Sequence, residues 1–110
     1  MEIRSLTSLA EEQLAAARAA SNGRAAVTVF GGQEHDLRQT LIALVGGAAL
    51  HEHDSPGDAS LQVLSGTVRL VAGDDSCEAG AGDYLHIPPQ RHALEAVSDA
   101  VVLLTVATRA

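Results

Sequence analysis

Residues 50–66 of this 110-residue chain read Leu-His-Glu-His-Asp-Ser-Pro-Gly-Asp-Ala-Ser-Leu-Gln-Val-Leu-Ser-Gly. Two histidines, His51 and His53, are separated by one residue just before a Pro-Gly turn. Because side chains alternate along a β-strand, both imidazoles are expected on one face of a sheet. Neutral imidazole binds zinc, iron, copper and nickel, so the pair is a candidate half of a metal site. The alternative is a pair of partly solvated histidines near a strand end.

A second stretch, residues 82–92, reads Gly-Asp-Tyr-Leu-His-Ile-Pro-Pro-Gln-Arg-His and follows after one predicted β-hairpin. Together the two stretches resemble the two motifs of the cupin superfamily, over about residues 38–106. The closest likeness is to small single-domain bacterial cupins without an assigned activity. The positions that carry the resemblance are Gly47, His51, His53 and Gly66 in the first motif, and Gly82, Pro88 and His92 in the second.

The resemblance implies an all-β fold, a double-stranded β-helix or jelly-roll barrel, here with one N-terminal helix. It also implies that His51, His53 and His92 are ligands of a divalent iron, zinc, nickel or manganese ion. Two departures stand out: Ala59 occupies the position of the family's glutamate, and the second motif is one residue short. Some cupins, the thiol dioxygenases among them, hold iron with three histidines and no carboxylate, and a bulge that turns Asp58 inward is a minor alternative.

Several side chains are expected to line the barrel pocket. His92 has a second interpretation as a strand histidine in a pocket without metal, and His86 has one as an outer-face residue that alternates with buried neighbours. The expected pocket residues are Gln39, Leu41, Ala59, Leu61, Val63, His86 and Leu94. No catalytic residue can be assigned from the sequence.

The pattern outside the motifs predicts a helical arm over residues 1–23 and a barrel domain over residues 24–110. Ser8 and Glu11 match a capping box at the start of the helix, and Asn22-Gly23 ends it. After Gly23, eight or nine short β-rich runs are separated by glycine and proline turns, which is typical of an antiparallel barrel.

Composition excludes several kinds of partner. Seven basic and fourteen acidic side chains give a net charge of −7, and the chain has one Phe, one Tyr and no Trp. Without a basic stripe or stacking aromatics, nucleic acid and anionic membranes are not expected partners. No apolar run approaches the roughly 20 residues of a membrane span. The single Cys77, expected on an outer hairpin beside Glu78, excludes an intrachain disulfide and agrees with an expected cytoplasmic location.

Two functions remain open from the sequence. One is a metal-dependent barrel that acts on a small molecule, such as an oxygenase or isomerase. The other is a non-catalytic binding or sensing module without a functional metal. The β-rich run over residues 24–30 is a predicted edge strand, and we expect a two-fold homodimer with strand exchange to cover it.

Overall fold

The computed structural model describes residues 1–53 and 57–108, without the side chains of Glu52 and His53. Within these residues one helix precedes nine strands, in agreement with the eight or nine expected from the sequence. The elements are α1 (Leu6–Ala19), β1 (Arg24–Phe30), β2 (Leu37–Leu44), β3 (Ala49–His53), β4 (Asp58–Ser65), β5 (Thr67–Ala72), β6 (Asp75–Gly80), β7 (Tyr84–Ile87), β8 (His92–Ala96) and β9 (Ala100–Ala107).

The strands form two antiparallel sheets, one with the order β1-β2-β9-β4-β7 and one with the order β3-β8-β5-β6. The inner faces of both sheets contribute to one buried apolar cluster, which we call the inner core. This arrangement confirms the predicted all-β jelly-roll. The inner core consists of Ile42, Leu44, Ala59, Leu61, Val63, Val68, Leu70, Ala79, Ile87, Leu94, Ala96, Ala100, Val102 and Val106.

A second apolar cluster lies between α1 and the outer face of the five-stranded sheet, and we call it the helix-side cluster. Its buried members are Ala17, Leu41, Ala43, Val101 and Leu103. Because the helix covers this face, β2 and β9 are buried on both sides and their sequences are apolar at consecutive positions. No helix among the described residues has the length and apolar character needed to cross a membrane.

This second cluster corrects the expected orientation of β2. Leu41, expected in the barrel pocket, packs under the helix, and Ile42 lies in the inner core instead. Gln39 shares the face of Leu41, and its side-chain amide donates a 3.4 Å hydrogen bond to the hydroxyl of Thr105. The prediction was wrong because an apolar run on both faces contains no alternation that distinguishes inside from outside.

The capping box at Ser8 and Glu11 predicts a helix that begins after Ser8, but α1 begins earlier, at Leu6. Ser5 is the N-cap, and its hydroxyl accepts a 3.1 Å hydrogen bond from the N–H of Ser8. With this start, Leu6 joins the apolar stripe that packs against the sheet. Both serines are good caps, and the packing of Leu6 favours the earlier one.

Candidate functional site

The inner core encloses an apolar cavity of about 40 Å³ beside the end of β3 and the start of β8. A single water needs about 10–15 Å³, so the cavity is larger than one water molecule requires. Among the described residues that line it, seven are aliphatic and one is polar. They are Ile42, Leu50, Leu61, Leu70, Ile87, His92, Leu94 and Leu104.

His92 is the polar member, and only 4% of its surface is exposed. It is the first residue of β8, directly after the turn at residues 88–91, and its Nδ1 lies 2.9 Å from the main-chain oxygen of Gln90. A carbonyl oxygen accepts only, so Nδ1 donates, and in the neutral ring the lone pair is on Nε2. A donor nitrogen fixed by a backbone carbonyl is the usual arrangement of a histidine that binds metal through its other nitrogen.

A β-bulge in β3 changes the expected geometry of the His-x-His pair. Leu50 pairs with Leu94 and His53 pairs with His92, so three steps along β3 match two along β8. Leu50 consequently packs against the inner core and lines the cavity, whereas His51 is exposed. Regular alternation would have turned His51 toward the inner core and Leu50 away from it. The bulge reverses this, because an extra residue in one strand changes the face to which its neighbours point. The side chain of His53 lies outside the described residues.

The structure offers no carboxylate at the position of the family's glutamate. Ala59 is buried in the inner core with 5% of its surface exposed, and the neighbouring Asp58 is exposed at the start of β4. Within residues 1–53 and 57–108, no group of three or more His, Cys, Asp or Glu side chains could hold a metal ion. The three-histidine site includes the undescribed side chain of His53, so it stays a prediction.

Residues 40–107 of the chain match the family described as the cupin domain. The chain belongs to the cupin family. A conserved protein of unknown function from Streptococcus pyogenes is 28% identical and superposes with a TM-score of 0.74 over 83% of this chain and 79% of that chain. An RmlC-like cupin from Desulfovibrio desulfuricans is 26% identical, with a TM-score of 0.67 over 76% and 81% of the two chains.

A cupin superfamily protein from Desulfitobacterium hafniense is 16% identical, with a TM-score of 0.74 over 82% of each chain, and shows the shared fold alone. No curated protein matches the sequence. The comparisons therefore establish the family of this cupin and its barrel, and they leave its activity to be inferred from its own residues.

The other expected pocket residues of this cupin lie in two environments. Ala59, Leu61, Val63 and Leu94 belong to the inner core, and Leu61 and Leu94 also line the cavity. His86 is exposed on β7, where it alternates with the partly buried Leu85 and the buried Ile87. This position agrees with the outer-face interpretation of His86 rather than with the barrel cavity.

Sequence reasoning missed five residues that line the cavity. The apolar run of β2 hides the inward position of Ile42, and the bulge in β3 hides that of Leu50. For Leu70 and Ile87 the alternation of β5 and β7 was available as a signal, since both alternate with more exposed neighbours. Leu104, the fifth, lies on β9, which is apolar on both faces.

Cys77 lies on the hairpin of β5 and β6, at the edge of the four-stranded sheet. It pairs directly with the inward-facing Leu70, and two positions further Ala79 pairs with Val68 inside the inner core. Directly paired residues share a face, so Cys77 is on the inner side of β6. It is nevertheless exposed, because β6 is the last strand of its sheet.

Proposed function

We propose that this cupin binds a divalent metal ion beside its barrel cavity through His51, His53 and His92, and binds a small molecule next to that ion. The observation that carries the proposal is His92, a buried imidazole in an otherwise aliphatic lining, with Nδ1 fixed on the carbonyl of Gln90. A histidine whose one ring nitrogen donates to a main-chain carbonyl has its ring orientation fixed, as metal-binding histidines usually do, and metal ions are common in this family.

The pairing of β3 with β8 supports the same site. His53 is the cross-strand partner of His92, and Cβ atoms of such partners are about 4.5–5.5 Å apart. The bulge lies directly before His53, and bulges are common beside active sites. Iron, zinc, nickel and manganese are all compatible with imidazole ligands, and with Ala59 in place of a carboxylate the site would keep the full charge of the ion.

When bound, an ion of this kind polarises a substrate oxygen or activates a bound water molecule, which suits an oxygenase or isomerase. The protein contributes three features of its own. His92 is held in one ring orientation by Gln90, aliphatic side chains make up the rest of the described cavity lining, and the small volume restricts the part of a ligand that enters.

The metal content of protein purified without a histidine tag tests this proposal. We expect about one equivalent of a transition metal in the natural protein. Removal of an outer-shell partner of a metal ligand typically costs about 10–100-fold in metal affinity, and His92→Ala, which removes a ligand itself, should cost at least as much. His51→Ala, at an exposed position, should lose metal without loss of folding. His35→Ala removes an exposed histidine near Phe30 and serves as the control. Unchanged metal content in both His92→Ala and His51→Ala contradicts the proposal.

A metal-free binding or sensing barrel is the second candidate. The specific observation in its favour is Ala59, an aliphatic residue at 5% exposure where the family's glutamate stands. If the natural protein contains no metal, xenon is the appropriate probe, because small dry apolar cavities bind it. Methyl NMR shifts of Leu61 and Leu94 under xenon would support this candidate.

A further inference from the structure

A cleft is lined by residues of β6 and β7, which are end strands of the two different sheets, together with residues of β5 and of the turn after β7. We call it the seam cleft, and its volume is about 230 Å³. Leu70 lines both this cleft and the barrel cavity. The described residues that line it are Leu70, Ala72, Asp75, Ser76, Cys77, Leu85, His86, Pro88 and Gln90.

The seam cleft is separate from the proposed metal site. Among the described residues, Leu70 alone lines both the barrel cavity and the cleft. The turn between β7 and β8 forms a second part of the wall, because Gln90 lines the cleft while its carbonyl accepts the hydrogen bond from His92. A molecule in the seam cleft would therefore occupy space that the barrel cavity does not include.

The lining of the seam cleft is amphipathic. Leu70 and Ala72 are buried at its floor, with 6% and 7% of their surfaces exposed, and Leu85 and Pro88 are half-buried beside them. Asp75 contributes a carboxylate and His86 an imidazole, and the described lining contains no Lys or Arg. With a net charge of −7 on the whole chain, the potential in the cleft favours a cation over an anion.

We propose that the seam cleft is a second binding site, for a small molecule with an apolar body and an ammonium head. Leu70, Leu85 and Pro88 contact the body, and the carboxylate of Asp75 pairs with the head. The volume is below the range of about 300–1,000 Å³ that drug-sized ligands occupy, so the ligand is a smaller molecule.

Three probes that share a phenyl ring test the preference for an ammonium head: phenethylamine, 2-phenylethanol and phenylacetate. Cys77 lies in the cleft and is the only cysteine of the chain, so its alkylation reports occupancy. The reagent is iodoacetamide, from which the thiolate sulfur displaces iodide and forms a C–S bond. We expect phenethylamine to slow the alkylation most and phenylacetate least, with the difference shrinking at high salt.

Two matched variants identify the carboxylate. Asp75→Asn should weaken phenethylamine binding about two- to fivefold, the range expected for an exposed ion pair, and leave 2-phenylethanol unaffected. Asp74→Asn removes the same charge one residue away, outside the cleft lining, and should change the binding of neither phenethylamine nor 2-phenylethanol. Equal protection by all three probes, or equal effects of the two variants, would overturn the proposal.

A chelator distinguishes this site from the metal site. In EDTA-treated protein, phenethylamine should still protect Cys77 from alkylation by iodoacetamide, whether or not the natural protein contains metal. Protection that disappears with EDTA would place the amine at the barrel cavity and refute a separate site in the seam cleft.

Discussion

Gly66 lies at the tight turn between β4 and β5, where the main chain after Asp99 passes close to it. Its φ angle is +76°, and a Cβ atom added there would be 2.7 Å from the Cα of Ala100 and 2.9 Å from its Cβ. Gly66 thus combines a left-handed backbone with a close approach of another strand. This double requirement gives a physical reason for the glycine that matches the first cupin motif.

Gly66→Ala should destabilise the fold more than Gly73→Ala. Gly73 also has a positive φ, +61°, but an added Cβ would have no neighbour within 4 Å. We expect Gly73→Ala to cost about 1–2 kcal/mol for the left-handed backbone alone. Gly66→Ala should cost about 1–3 kcal/mol more, because the strand beside it must also move. Urea titration gives the free energy of unfolding of each variant. An equal loss of stability in Gly66→Ala and Gly73→Ala would contradict the steric argument.

At the scale of elements, α1 is part of the packed structure as well as an N-terminal extension. Ala17 has no exposed surface and packs with Leu41 and Leu103 against the outer face of the sheet. A small residue at this position lets the helix approach the strands closely. The helix therefore covers apolar surface that the sheet would otherwise present to water.

Two substitutions on neighbouring positions of α1 test this close approach. Ala17→Leu should destabilise the protein by about 1–3 kcal/mol, because the added atoms have no space between helix and sheet. Ala16→Leu, at an exposed position of the same helix, should stay within about 0.5 kcal/mol of the natural protein. Thermal unfolding followed by circular dichroism compares the two, and a similar effect of both would mean that the helix packs loosely.

At the scale of the whole molecule, Asp99 connects three segments that are far apart in the chain. Its Oδ1 accepts a 2.8 Å hydrogen bond from the N–H of Gly46, and its Oδ2 accepts bonds of 3.2 and 3.0 Å from Nε and Nη2 of Arg18. The Gly46 N–H, and after it the Arg18 guanidinium, hold the pKa of Asp99 below its ordinary value of 3.8. The end of the helix, the β2–β3 loop and the β8–β9 turn thus share one carboxylate.

This connection predicts a pH dependence of stability. Because the folded-state pKa of Asp99 is lowered, its stabilising effect is present above pH 3.8 and is lost as the pH falls through the folded-state value. Asp99→Asn should lower the melting temperature at pH 7, and the difference from the natural protein should shrink as the pH falls below about 4.

Asp74→Asn, which removes a charge at an exposed turn, is the control for net charge in these melting experiments. Asp74→Asn should change the melting temperature little at pH 7. A difference between Asp99→Asn and the natural protein that stays constant from pH 7 to acid would contradict a role of the ionised carboxylate.

The open edge of the five-stranded sheet also belongs to this scale. β1 is an end strand, and Nη1 of Arg4 donates to its carbonyls at Thr28 and Val29 over 3.3 and 3.1 Å. Phe30, at the end of the strand, keeps 45% of its surface exposed. The homodimer expected from the sequence stays a prediction, for which sedimentation at micromolar concentration is the direct test.

Local sequence patterns predicted the strands closely. The predicted edge strand over residues 24–30 is β1, Arg24–Phe30, with the same bounds, and nine strands follow the helix where eight or nine β-rich runs were expected. Glycine and proline turns mark the ends of strands through the conformations they allow, which is a local property of the chain. The same patterns could not orient β2, whose outer face is apolar only because a helix packs on it.

The sequence by itself indicated the family through its resemblance to the two cupin motifs, which include three histidines, and predicted eight or nine short strands after one helix from local conformational preference. Tertiary structure decided which residues line the cavity, because the register of β3 on β8 joins segments about 40 residues apart and includes a bulge that exposes His51 and turns Leu50 inward. It also decided that Cys77 lies in the seam between the sheets. A strand's inner face depends on what packs against each side of it, and that information lies in other parts of the chain.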